Sequence, residues 1–156
     1  MSAGLAPAFL VASLLLCVSG AMKLRSPRTP MRALGVGEVA LGAACTVHPT
    51  RGLAVALAVA YASFGAAAVV LMRRRAACGC FGENDFPVTA GHAVASATLG
   101  TLVLAAAVAG PRGLGWVIGL PAPQAVVMLA GIAGAVYAVV LVYTVVPRAW
   151  EAWERA

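Results

Sequence analysis

The chain has 156 residues, of which 62% are hydrophobic and only 10% charged, with a net charge of +6 and a mean hydropathy of +0.95. These figures exclude a soluble domain, whose core has no room for so much apolar surface, and a disordered chain, which needs the opposite balance. Nucleic-acid binding is excluded as well, because the basic residues sit in short clusters between apolar runs, where membrane topology uses them.

Five apolar segments follow in order: Leu5–Met22, Met31–Val47, Gly52–Met72, Val88–Ala109 and Gln124–Val146. Most approach the roughly 20 residues that cross about 30 Å of hydrocarbon. No Lys or Arg precedes the first, so its ending in "VSGA" does not make it a cleaved leader, and it is read as a helix. The second is short, begins after Pro30 and ends at "HPTRG", a break that predicts an antiparallel hairpin of segments two and three. The expectation is an all-α integral membrane protein, with a four-helix transmembrane bundle in residues 1–110 and a fifth C-terminal transmembrane helix in 111–156. Basic residues in the connections divide nine (Lys23, Arg25, Arg28, Arg32, Arg73, Arg74, Arg75, Arg148, Arg155) against two (Arg51, Arg112). The positive-inside rule then puts the N-terminus out, the C-terminus in and the 73–87 connection at the cytoplasmic face.

Trp116, Trp150 and Trp153 fall just outside spans, as interfacial anchors do. Small residues repeat every four positions in the third segment (Ala54, Ala58, Ala62, Ala66) and the fourth (Ala93, Ala97, Thr101, Ala105, Ala109). Helices in lipid associate through such faces, which let backbones approach.

Glu38 stands inside the second segment, in "GVGEVALG". An acid that deep costs about 3 kcal/mol unless it is protonated or paired. Two readings stay open: a protonatable group beside a functional site, or a carboxyl that bonds across helices and locks their packing.

The polar connection "AACGCFGEND" carries Cys78 and Cys80 around Gly79. Extended i, i+2 alpha carbons lie about 7 Å apart, beyond the roughly 4.4–6.8 Å of a disulfide, so closure needs a bend that Gly79 permits. A bridge in so small a ring is strained and easily reduced, and Arg73, Arg74 and Arg75 favour the thiolate. This points to a thiol–disulfide exchange centre with no cofactor beyond the two thiols, and to a thiol–disulfide oxidoreductase if the protein is an enzyme. Two alternatives bring cofactors: half of a Cu or Zn site, completed by Cys17, Cys45, His48, His92 or a Met, in a soft-metal transporter or metallochaperone, and a quinone-linked disulfide generator. The auxiliary thiols differ in depth. Cys17 is close enough to the inner end of its helix to meet the loop pair, whereas Cys45 is near the outer end of the second helix. His92, in the first turn of the fourth, is either a base for the loop or a solvated polar residue.

Together "SGAMKLRSP" (Ser19 to Pro27), "GVGEVALG" around Glu38 and "CGCFG" (Cys78 to Gly82) resemble the MauE methylamine-utilisation family, grouped with DoxX-like redox-associated membrane proteins. The likeness covers roughly residues 5–110. It implies work beside thioredoxin-like partners in maturing disulfide-rich exported proteins, with Cys78 and Cys80 as the redox pair and Gly79, Phe81 and Gly82 shaping their loop. Ser19, Gly20, Lys23, Leu24, Pro27 and Glu38 match further motif positions that carry no assigned chemistry. The fifth helix departs from the family's minimal pattern.

Overall fold

The computed structural model describes residues 2–74 and 88–145. Cys78, Gly79, Cys80, Phe81 and Gly82, with Arg75, Arg148, Trp150, Trp153 and Arg155, lie outside the described residues. Among the described residues six helices run in order: α1 (Ser2–Lys23), α2 (Thr29–Val47), α3 (Arg51–Arg73), α4 (Ala90–Ala109), the short α5 (Leu114–Ile118) and α6 (Ala122–Thr144).

Local chemistry accounts for the boundaries. Pro30 opens α2 within its first two positions, where a missing N–H costs nothing. Thr50 caps α3 by accepting from the Leu53 amide at 3.2 Å. α4 stops at Gly110, whose φ of +91° suits glycine, just before Pro111. Hydroxyls within the apolar helices are satisfied by the carbonyl one turn back, as in Ser13 to Phe9 (2.9 Å) and Thr46 to Gly42 (2.8 Å).

Four of the described helices, α1, α3, α4 and α6, are long and apolar enough to cross a membrane. The protein is therefore of multi-pass membrane type. α2, expected as one of five spans, is helical but not among the four, because Arg32 and Glu38 interrupt its apolar run.

Pairing also differs from the expected hairpin. A three-residue turn joins α2 to α3, yet the extensive interfaces are α1 with α2 and α3 with α4, and the α2–α3 contact is minor. α1 also touches α4 and α6, so it is the helix around which the others gather. The core is built from Phe9, Ala12 and Leu16 of α1, Cys45 of α2, Ala54, Leu57 and Tyr61 of α3, and Val103, Ala106 and Ala107 of α4. α6 lies outermost, resting on Leu10 through Ile132, with Val117 of α5 between them.

Glycine rather than alanine explains the α1–α2 seam. A Cβ on Gly35 would lie 2.7 Å from the Gly20 carbonyl oxygen, and one on Gly42 would lie 2.6 Å from both the Ser13 oxygen and the Cys17 sulfur. The expected alanine stripes are only partly used. Ala54 and Ala58 are buried, but Ala62, Ala66, Ala97, Thr101, Ala105 and Ala109 are exposed, and α3 and α4 also meet at Gly65 and Gly100, where a Cβ would be in ordinary contact with the facing helix.

Replacing Gly35 by Val would drive a side chain into backbone, so a loss of about 1–3 kcal/mol is expected. Gly37→Ala, where a Cβ meets nothing within 4 Å, should be neutral or slightly stabilising. Thermal unfolding of the two purified variants in the same detergent checks the contrast; equal melting would remove the glycine seam.

Candidate functional site

α1 and α3 end, and α2 and α4 begin, at one end of the bundle, which we call the Lys23 end; the opposite one is the His48 end. At the Lys23 end the chain turns sharply after α1. The Ser26 amide bonds the Lys23 carbonyl at 3.0 Å, and the Ser26 hydroxyl accepts from the Arg28 amide at 3.2 Å. This short turn lays α2 antiparallel on α1.

Helical side chains lean toward their own N-terminus. Lys23, the last residue of α1, therefore reaches back over Ser19, one turn earlier, while Glu38 leans toward the beginning of α2. The two meet. Lys23 Nζ lies 2.6 Å from Glu38 Oε1 and 2.7 Å from Oε2, and it donates to Ser19 Oγ at 2.8 Å. Ser19 in turn donates to Glu38 Oε2 at 3.0 Å. Lys23 and Glu38 are only 3% and 4% exposed, so solvent does not screen the pair. Phe64 of α3 presents its ring 5.5 Å from the ammonium, within cation–π range, and packs edge-on against Tyr61 with centroids 6.0 Å apart. Tyr61 ties α3 to α1 by donating to the Ala12 carbonyl at 2.7 Å.

A cleft of about 50 Å³ opens beside this network, lined by Ser19 and Lys23 of α1, Tyr61 and Phe64 of α3, His92 and Ser96 of α4, and Val139 of α6. Space of that order accommodates a few waters where polar partners converge. His92 stands at its rim. The third residue of α4, it takes the place that Glu or Gln fills in a capping box, with Nδ1 accepting from the Thr89 amide at 3.2 Å.

The sequence-derived candidates are thus distributed unevenly. Ser19, Gly20, Lys23 and Glu38, which shared a motif without a role, come together, and His92 lines the same cleft. Lys23 was counted among the basic residues of a connection; it is helical, buried and paired, which leaves the charge asymmetry eight to two. The auxiliary thiols face elsewhere. Cys17 Sγ points at α2, 3.8 Å from the Val39 carbonyl, and is not among the residues lining the cleft. Cys45, fully buried, contacts the Leu53 carbonyl at 3.5 Å. Trp116 is half-buried in α5 and stacks under Arg112, whose guanidinium carbon is 5.0 Å from its ring. Among the described residues no group of three or more His, Cys, Asp or Glu side chains is placed to hold a metal ion.

Lys23 escaped notice as a site residue because its position reads as a flanking charge. One signal was present: it is the only lysine in the chain, and a lone acid inside an apolar helix requires a partner. Comparison with protein-family models, curated proteins and solved structures finds no match.

Removing one partner leaves a buried charge uncompensated, so Glu38→Met and Lys23→Met should each cost about 3–5 kcal/mol. The double variant Lys23→Met/Glu38→Met should recover most of that loss, since an apolar pair of similar volume carries no desolvation penalty. A double-mutant cycle of unfolding free energies in detergent measures this, and additive losses would show that the two side chains do not act as a pair.

Proposed function

We propose that the protein is a membrane thiol–disulfide redox protein, in which Cys78 and Cys80 exchange electrons with thioredoxin-like partners during disulfide handling of exported proteins. The observation that carries this reading is where the connection is tethered. It leaves α3 after Arg74 and returns at Val88, both at the end that holds the buried Lys23–Glu38 pair and His92. Three residues lie between Arg74 and Cys78 in the sequence, a span of chain no longer than about 14 Å when fully extended. Ser19, Gly20, Lys23 and Glu38 support the reading by gathering at that end.

The exchange needs only sulfur chemistry. A thiolate of the partner's dithiol attacks one sulfur of the Cys78–Cys80 disulfide and forms a mixed disulfide, releasing the other cysteine as thiolate. The partner's second thiolate then displaces the first cysteine. The partner leaves oxidised and the loop is left as a dithiol, with the two protons passing from one pair to the other. Reduced Cys78 and Cys80 repeat the step in reverse on a downstream disulfide, which the family likeness makes an extracytoplasmic thioredoxin-fold protein.

In this reading α2 completes a set of five crossings, its one buried acid neutralised by Lys23. Exposed Arg25, Arg28, Arg32, Arg73 and Arg74 support a cytoplasmic Lys23 end in an inner membrane, with the N-terminus out. Residues 1–110 form the redox unit, and 111–156 add α5, α6 and a short tail.

Changing Cys78 or Cys80 alone to Ser should trap a mixed disulfide with a thioredoxin-like protein, visible as a reductant-sensitive band on non-reducing gels. Changing both should abolish that band and the downstream oxidation-state change. Unaltered maturation of exported proteins in the double variant would overturn the reading.

A further inference from the structure

The way α4 begins has a chemical consequence independent of the cysteine pair. The Thr89 amide is one of the donors that a helix N-terminus leaves without an intrahelical acceptor, and His92 Nδ1 takes it at 3.2 Å. The Thr89 amide directs its hydrogen at Nδ1, and the tautomer in which Nδ1 accepts it carries the ring proton on Nε2. Proton uptake then has one place to go, Nδ1, and a protonated Nδ1 no longer accepts from an amide. A replacement acceptor for it is already in position: Thr89 Oγ1 lies 2.9 Å from the same nitrogen.

The ring is half-buried and lines the cleft. Among the described residues, the titratable groups facing that cleft are Lys23 from α1, with Glu38 of α2 bonded behind it, and Tyr61 from α3; α6 contributes Val139. While Glu38 neutralises Lys23, that ammonium does not oppose a cation on His92.

We propose that His92 is a proton-binding site whose occupancy switches the cap of α4. A proton from water adds to Nδ1, the Thr89 amide loses its acceptor, and the new Nδ1–H donates to Thr89 Oγ1. The neutral ring holds the amide at the base of α4; the cationic ring releases it. Glu38 is a positioning residue in this scheme, acting through Lys23. The switch is read at the Thr89 amide and not at the cysteine pair, so this inference and the redox reading fail separately.

The test is amide hydrogen exchange on the full chain in lipid nanodiscs, expressed as protection factors across about pH 4 to 8, the range that brackets histidine titration. In the wild type the Thr89 amide should be protected above the His92 midpoint and lose about tenfold of that protection below it, the worth of one hydrogen bond to a charged or partly buried group. His92→Gln keeps an acceptor of the kind capping boxes use but does not titrate, so its Thr89 amide should stay protected throughout. The Leu53 amide, capped by Thr50 without a histidine, should be flat in both. Glu38→Gln, which leaves the Lys23 charge unbalanced, should displace the transition in pH, and an unmoved transition would remove the positioning role of Glu38. A flat Thr89 profile in the wild type, or the same transition in His92→Gln, would overturn the proposal.

Discussion

A lysine and a glutamate facing each other where water is scarce set the terms for the rest of this fold. Lys23 and Glu38 are each nearly inaccessible, and either alone would carry a charge into an apolar surrounding at a cost of several kcal/mol. Together, with Ser19 closing the triangle, they are neutral and fully bonded. The geometry demands that α1 and α2 approach closely and in one register. Gly20 and Gly35 permit the approach, and the Ser26 turn sets the direction. Shifting α2 by one residue would rotate Glu38 by about 100° away from its partner, so the ion pair specifies the register that glycine merely allows.

Around this pair the aromatic side chains of α3 connect the two helical hairpins. Phe64 covers the ammonium, and Tyr61 holds the α1 backbone at Ala12. The first helix is consequently bonded to the second by charge and to the third by a phenol. At the His48 end the joint is steric: a Cβ on Gly113 would strike Thr46 and Pro49, which shows how tightly the chain after α4 presses on the α2–α3 turn. Both ends of the bundle are thereby fastened, with the polar fastening at the Lys23 end, where the cleft and the basic connections also lie.

Much of the helical layout was legible. Apolar runs of about 20 residues leave few alternatives to helix, and the observed boundaries differ from the expected ones by a few residues. Partner choice was less so. The break at "HPTRG" suggested that α2 folds on α3, but turn length reports only that two helices are antiparallel. Which faces touch depends on where backbones come closest, and that was carried by Gly20, Gly35 and Gly42, not by the more frequent alanines. Glu38 was recognisable as a residue in need of compensation, whereas the identity of its partner was not, because Lys23 is adjacent to Arg25 and Arg28 and reads as one of a group. His92 was legible as polar and near a helix start; its capping role needed the three-residue spacing from Thr89 and the orientation of the ring.

The Lys23–Glu38 pair also bears on how the chain enters a bilayer. The two residues are 15 apart, on consecutive helices, so the cation emerges during synthesis before the anion that neutralises it. A solitary α1 would leave its lysine at the lipid boundary, and a solitary α2 would resist partitioning. Joining the two charges removes both obstacles at once, and it leaves α1 as the scaffold on which the later helices assemble.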